Sequence, residues 1–560
     1  MKNYKLEVIQ LIKNVFPQLI ESSISIPPES SLGDFAIPCF PYSKQLGNPE
    51  TAAKEISKRI SENISGSLIN DVRAVGPYVN IFLNKIIFMS NVLEKIDPSF
   101  GKSNVDEVIV IDYSAPNVAK NMGLHNLRST VIGQALYNVY KHVGYDVIGI
   151  NHLGDWGTQF GKLIWALEHW SSFEELEEKG ILFLNEMYVR FHELAEKEDK
   201  EKMEEEAREW FKRIEEGDPI AEKWWKLFIK ISLEDYQKIY DRLNISFDYT
   251  TGESFYMPLL EDAIKKLEEK KLTSISDGAL VVQFDKKNNM PPCLLRKSDG
   301  ATLYGTRDIA AILFRLDKFN PNKILYVVDI AQELHFKQVF KVMEMYDSDL
   351  KEKFEHVMFG RLSFKDGAMS TRKGNIVPLK EVLDTSRDKV LDIIKEKNPE
   401  LKNKENVAEI VGTGAIVFGD LINDRIHNVI FDWEKILDFQ GETGPYIQYS
   451  YARLKSILRK EKSTFFDAEF LTEDLEYDLV KKMYSFKDVL DNVIRQNKPS
   501  SLCKYLIELS QLVNSYYVKI SILKEENVKI KNSRLFLIQK ISEMIKLCAD
   551  LIGIKVPEEM

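Results

Sequence analysis

Two continuous apolar runs, Val108-Ile109-Val110-Ile111 and Val147-Ile148-Gly149-Ile150, flank a stretch in which Leu127, Val131, Ala135, Leu136 and Val139 recur at helical spacing. Runs without polar alternation suit strands buried on both faces, as in a parallel sheet covered by helices. The pattern predicts a βαβ unit. Such units wind right-handed, and open α/β sheets bind ligands in the crevice beyond the carboxyl ends of their strands. Residues just after Ile111 and Ile150 are therefore candidates for a site. Further runs at Leu280-Val281-Val282, Ile324-Leu325-Tyr326-Val327-Val328 and Val357-Met358-Phe359 predict a second half of the same sheet.

At 560 residues the chain is too long for one hydrophobic core. Residues 1–105 read as a small α+β domain, with helical patterns around Tyr4–Ile20 and Pro49–Ile64 and a strand near Tyr78–Leu83. The polar stretch Asp97–Glu107, with Pro98, Gly101 and Ser103, closes it. Residues 106–440 form the α/β, Rossmann-like parallel-sheet domain. Its segment from about 165 to 245 is helical and heavily charged, and the run Glu193–Glu206 reads as the solvated face of an inserted helix. Residues 441–560 are patterned as an all-α domain.

The formal net charge of -10 argues against a general nucleic-acid coat protein, but leaves room for a local basic strip. Cys39, Cys293, Cys503 and Cys548 lie far apart, without the paired spacing of a zinc site or disulfide framework, and fit a reducing compartment. Lys5 and Lys13 interrupt the apolar residues of the first helix, unlike a signal peptide, and no stretch approaches the roughly 20 apolar residues of a membrane span. A cytoplasmic protein with no membrane partner and no structural zinc is expected.

Three polar clusters converge on the predicted crevice. Asp112 to Thr130 links the first strand to its helix, where backbone N–H groups and the helix dipole can meet phosphate. Asn151-His152-Leu153-Gly154-Asp155-Trp156-Gly157 follows the second strand, and Ala368-Met369-Ser370-Thr371-Arg372-Lys373-Gly374-Asn375 is a third, basic loop. Tyr304 and Asp308 lie four apart at the start of an amphipathic helix over Thr306–Phe319. The dipole keeps a carboxylate in a helix's first turn ionised, and by themselves the two residues read as a core tyrosine and a helix-capping aspartate.

The order of these motifs resembles the arginyl-tRNA synthetases of class I. The run Pro116-Asn117-Val118-Ala119-Lys120 and the following Leu127-Arg128-Ser129-Thr130 bracket the family's HIGH motif, and Ala368–Asn375 is similar to its KMSK-type loop. Gly76-Pro77-Tyr78-Val79-Asn80 resembles the N-terminal domain that touches the tRNA elbow. Asp248–Ser254 resembles the return from the insertion, and Gly441–Tyr449 the start of the helical anticodon-binding domain. The resemblance implies activation of L-arginine by ATP with Mg²⁺, transfer to the 2′-hydroxyl of tRNA(Arg), activation that waits for bound tRNA, and a monomer. It places arginine contacts at Tyr304, Asp308 and Gln332, with Asn117 near the α-amino and carboxylate groups and Asp112 as a second guanidinium partner. ATP contacts fall on Pro116, Asn117, Lys120, Gly123, Leu124, His125, Asn126, Met369, Ser370, Thr371, Arg372 and Lys373, of which Lys120, His125, Asn126 and Lys373 would stabilise charge. Asn80 and the tyrosines Tyr446, Tyr449 and Tyr517, with Tyr516, are candidates for RNA contact, since splayed bases stack on such rings.

Two departures stand out. The HIGH positions read Gly123-Leu124-His125-Asn126, so the first histidine is absent and His125 occupies the glycine place. Asn126 still offers a donor, and a register shift of one residue would make His125 the motif's last histidine. Ala368 and Thr371 replace the KMSK lysines, leaving Lys120, Arg372 and Lys373 to supply a cation. An RNA-binding relative that lost catalysis is the alternative these departures leave open.

Overall fold

The computed structural model describes residues 4–27, 29–63, 68–197, 200–365 and 377–560. The two apolar runs form β1 (Val108–Asp112) and β2 (Asp146–Leu153), joined in parallel with Asp112 opposite Ile150. Between them runs α1 (Leu127–Val143), which ends at Gly144 with φ 121. The chain then adds β3 (Tyr249–Gly252) beyond β2, returns to place β4 (Lys323–Tyr326) on the other side of β1, and ends the sheet with β5 (Phe354–His356). The order β5-β4-β1-β2-β3 is parallel throughout. The direction of winding reverses between β1 and β4, so the carboxyl ends of these two strands, Asp112 and Tyr326, flank the switch-point crevice.

Leu280-Val281-Val282 does not join this sheet. It lies in a separate antiparallel sheet of Thr273–Ser276, Ala279–Val282 and Cys293–Arg296. The turn Asp277-Gly278, with φ of 49 and 79, folds the first pair into a tight hairpin, a local signal that outranks an apolar run with no stated partner. The last predicted run, Val357-Met358-Phe359, lies outside the strand, which is formed by the preceding β5 residues Phe354–His356.

Among the described residues five helices run from Thr158–Trp170 to α2 (Pro219–Leu243), through the segment expected as the insertion. Two further helices line the crevice, α3 (Tyr304–Phe319) and α4 (Glu333–Tyr346). The helical remainder includes α5 (Lys404–Leu421), α6 (Gly444–Lys460), α7 (Ser500–Lys519) and α8 (Val528–Leu551). At the other end, helices Tyr4–Val15 and Pro49–Asn63 accompany an antiparallel sheet with Tyr78–Leu83 in its centre. All four cysteines are free and buried. Among the described residues no helix is long and apolar enough to cross a membrane.

Candidate active site

The segment after β1 departs from regular structure at once. Ser114, Ala115 and Ala119 have φ of 71, 49 and 64, the left-handed region that costs a residue with a side chain roughly 1–3 kcal/mol. Hydrogen bonds hold them there. The Ser114 N–H donates to Ser129 Oγ (3.0 Å), Ala115 N–H to Asn151 Oδ1 (3.1 Å) and Ala119 N–H to Ser232 Oγ of α2 (2.9 Å). The Tyr236 hydroxyl reaches the carbonyls of Asn117 (2.7 Å) and Lys120 (2.6 Å). The insertion thus grips the loop by its backbone.

The loop is also laced to the segment after β2. Val118 N–H donates to Gly154 O and Gly154 N–H to Pro116 O, each at 3.1 Å. A Cβ on Gly154 would lie 2.1 Å from Asn117 Oδ1. Glycine is needed there because the Asn117 side chain rests on the backbone, facing the crevice.

The altered motif folds as a turn of 3-10 helix, Leu124–Asn126, ahead of α1. Its register is fixed by three bonds: Gly123 N–H to Asn126 Oδ1 (3.1 Å), Leu124 N–H to Val377 O (2.9 Å) and Leu379 N–H to Met122 O (2.8 Å). Pro116 and Leu124 are buried and serve as framework. Asn126 uses its oxygen to cap the turn, so its amide nitrogen is the part that can donate outward. His125 is exposed. Surrounding protein, with the nearby Lys120 charge, holds its imidazole below the usual pKa, Asp329 pulling the other way. The Lys120 ammonium sits 5.5 Å over the Tyr188 ring of the insertion. The predicted contacts Met369, Ser370, Thr371, Arg372 and Lys373 lie outside the described residues.

A cavity of about 450 Å³ opens beside this loop, lined by Asp112, Asn117, Tyr304, Asp308 and Gln332 together with residues the sequence did not single out for it: His152, Glu253, Arg307 and His335. Its carboxylates are unequal. Asp112 is committed internally, 2.7 Å from the fully buried Arg315. The same guanidinium donates to His152 Nδ1 at 3.1 Å, which requires that nitrogen to be an unprotonated acceptor. Burial accordingly holds His152 below its ordinary pKa. Asp112 therefore shapes the wall of the pocket and is not a free partner for a second guanidinium. Glu253 pairs with Arg307; burial, only partly offset by that arginine, pushes its carboxyl up to about 7. Among the described residues Asp308 pairs with His335, at 2.5 Å from Nε2. Tyr304 is 64% exposed at the rim.

Glu253 lies within the recognisable segment Asp248–Ser254, and His335 falls three residues after Gln332 on the first turn of α4; neither carries a signal of its own without the tertiary pairings. The same holds for Arg453 on α6. Tyr449 and Tyr517 are exposed, and the Arg453 guanidinium lies 4.7 Å from one ring and 4.6 Å from the other, bridging α6 and α7. Tyr446 is half-buried against the core. Tyr516 is buried, with its hydroxyl on Glu476 at 2.9 Å, and is a packing residue. Asn80 is also buried, in the central strand of its sheet, so it presents no free side chain to RNA; the neighbouring Tyr78 is exposed and packs edge-on to exposed Phe40.

Residues 89–433 match the family described as tRNA synthetases class I (R), catalytic domain; residues 447–560 match the DALR anticodon binding domain and residues 2–83 the arginyl tRNA synthetase N terminal domain. Arginine–tRNA ligase of Halothermothrix orenii is 41% identical over 573 residues, and arginine–tRNA ligase 2 of Bacillus anthracis 43% identical over 570, each with 100% of both chains covered. The fold is that of Thermus thermophilus arginyl-tRNA synthetase, with a TM-score of 0.82 over 99% of this chain and 100% of that one at 22% identity.

Proposed function

The chain belongs to the arginyl-tRNA synthetase family, and on that premise we propose how its crevice joins L-arginine to tRNA(Arg) at the expense of ATP. An oxygen of the arginine carboxylate attacks the α-phosphorus, the bond to the bridging oxygen breaks, and pyrophosphate leaves. A hydroxyl of the terminal tRNA adenosine then attacks the carbonyl carbon of the adenylate and AMP leaves. Neither step requires a covalent enzyme intermediate, so the protein's work is positioning and charge stabilisation.

Asp308 supports arginine as the amino acid. Among the described residues it is the cavity carboxylate that pairs with an imidazole, whereas Asp112 and Glu253 each face an arginine of the chain. A guanidinium laid against Asp308 also finds oxygen acceptors at Tyr304 and Gln332, and lysine, lacking the fork, satisfies fewer of them. A site lined with acceptors rejects wrong side chains strongly and needs no editing step. Asn117, seated on Gly154, is placed for the α-amino and carboxylate end.

On the phosphate side the donors are His125, the Asn126 amide and Lys120, joined by Arg372 and Lys373 of the loop after Lys365. Magnesium would enter on the phosphate oxygens of ATP, its usual carrier in such sites. The bracket of Tyr449, Arg453 and Tyr517 suits a splayed anticodon base, and the exposed Phe40–Tyr78 pair suits the tRNA elbow. A cytoplasmic monomer divided at about residues 105 and 440 fits this assignment. Pyrophosphate exchange dependent on arginine, assayed with and without tRNA, tests the whole. Exchange driven equally by lysine, or absent in both conditions, would overturn it.

A further inference from the structure

The insertion holds the loop after β1 at two places that converge on Lys120. From α2, the Tyr236 hydroxyl donates to the Lys120 carbonyl (2.6 Å) and Ser232 Oγ accepts from the Ala119 N–H (2.9 Å), which fixes the backbone from which the lysine side chain starts. From a different helix, Ile181–Lys197, Tyr188 offers the face of its ring, and the Lys120 ammonium lies 5.5 Å from the ring centre. That ring is packed in its turn. It is half-buried and meets His192 edge-on, with centroids 4.6 Å apart and planes at 68°. On the other side lies His125, whose imidazole is depressed by burial first and by the Lys120 charge second. The ammonium is thus close to both the insertion and the altered motif.

A lysine that serves a phosphate carries its charge on a flexible stem and must still be aimed. A carboxylate would aim it but would also neutralise it. An aromatic face attracts the ammonium through the ring quadrupole and leaves both its charge and its N–H donors to an anion. We propose that Tyr188 is a positioning residue for adenylate formation, its ring face setting where the Lys120 ammonium stands. This rests on the assignment of Lys120 to the phosphates of ATP. As the bond from the α-phosphorus to the bridging oxygen breaks, negative charge gathers on the leaving pyrophosphate. A cation already in place stabilises that charge without reorganising, whereas one spread over many rotamers does not. Ala368 and Thr371 stand where KMSK-type loops carry lysines, which makes the placement of Lys120 matter more. The inserted helices then build part of the phosphate end of the site.

The test is arginine-dependent pyrophosphate exchange with tRNA present, read as kcat and arginine KM in wild type, Y188F, Y188L, K120A and the double variant Y188L/K120A. Y188F keeps the ring and should exchange within about twofold of wild type. Y188L fills much of the same space without a π face. It should lower kcat about tenfold or more and leave the arginine KM within about twofold, because only the phosphate end is disturbed. K120A should lose more than Y188L. Adding Y188L to K120A should cost less than about twofold further, since a residue that acts through Lys120 has nothing left to position. If Y188L does not fold, Y188M carries the same test. Y188L as fast as wild type while K120A is slow overturns the proposal and leaves the Lys120 assignment standing. Y188F as slow as Y188L also overturns it, placing the effect on the hydroxyl. So does a Y188L penalty as large in K120A as in wild type, or one that falls on the arginine KM, either of which places the effect on the packing of the insertion. K120A exchanging normally would instead overturn the assignment of Lys120, and this proposal with it.

Discussion

The Arg128 guanidinium and the Asp420 carboxylate meet 2.8 Å apart with side chains 1% and 0% exposed, tying α1, which opens on the phosphate loop, to α5 beneath the helical C-terminal region. Arg128 also donates to the carbonyls of Gly360 (2.7 Å) and His427 (2.8 Å). Removing one member leaves a buried charge uncompensated, a loss of roughly 3–5 kcal/mol. R128A should lower the urea midpoint accordingly, and replacing both residues by Met and Leu should recover much of it. A cost under about 1 kcal/mol for R128A would mean the pair is solvated after all.

Asp308→Asn should leave the fold intact and raise the arginine KM, because a desolvated guanidinium loses its charged acceptor, worth roughly 2–5 kcal/mol. ATP KM should stay close to wild type. A rise below about threefold would reduce Asp308 to a helix-start residue held by His335.

The features legible in the sequence are those written in short windows. The buried strands β1 and β2 announce themselves as apolar runs, and the loop between β1 and α1 as a motif. Asp308, Tyr304, Gln332 and Asn117 line one cavity. What the sequence withheld depends on pairing across long separations. Asp112 looked available because nothing near it in the chain points to Arg315, some two hundred residues on. Leu280–Val282 looked like a sheet strand because an apolar run does not name its partner. Asn80 and Tyr516 looked like surface readers because burial of a polar or aromatic side chain in a central strand or helix is decided by the layer packed on top.

Glu253 gives a stability test with a definite sign. Burial raises its carboxyl to about 7 in the fold against an ordinary 4.5, so the folded state binds more protons than the unfolded one between these values and loses stability as pH rises through them. Ionised Glu253 is therefore a net cost that is fully present well above pH 7, on the order of 3 kcal/mol. E253Q, still an acceptor for Arg307, should be more stable than wild type at pH 8 and lose that advantage by about pH 5 in thermal unfolding. Equal midpoints at both pH values would show that Arg307 fully offsets the burial.

The Arg453 bracket separates RNA contact from packing. Tyr449 and Tyr517 are exposed, so Y449A and Y517A should leave the melting temperature nearly unchanged while weakening tRNA binding, since a stacked base is worth roughly 1–3 kcal/mol. Y449F should bind normally, and R453A should lose about as much as either alanine variant. Y516A should do the reverse, destabilising through its lost contact with Glu476. Unchanged affinity in Y449A and Y517A would remove the stacking role.

The remaining test concerns His125, where the sequence leaves two assignments. The turn cannot slide by one residue to decide between them, because Gly123 would lose the Asn126 side-chain oxygen, and Leu124 and Leu379 the backbone carbonyls, to which they donate. His125 therefore keeps its present position at the mouth of the loop, where the surrounding protein first and the Lys120 charge second depress its protonation. A neutral imidazole still donates one N–H, and a donor aimed at the reacting phosphates is worth roughly 3–4 kcal/mol in the transition state. On that assignment H125A lowers kcat about a hundredfold or more and leaves ATP KM little changed. If the side chain instead only occupies the place of a glycine against adenine, H125G gives normal or improved ATP binding and turnover, because the smaller residue opens room at an already formed turn. Measuring kcat and ATP KM for both variants decides the matter: slow turnover in both assigns the phosphate contact to His125, whereas a glycine variant as fast as wild type passes it to the Asn126 amide and Lys120.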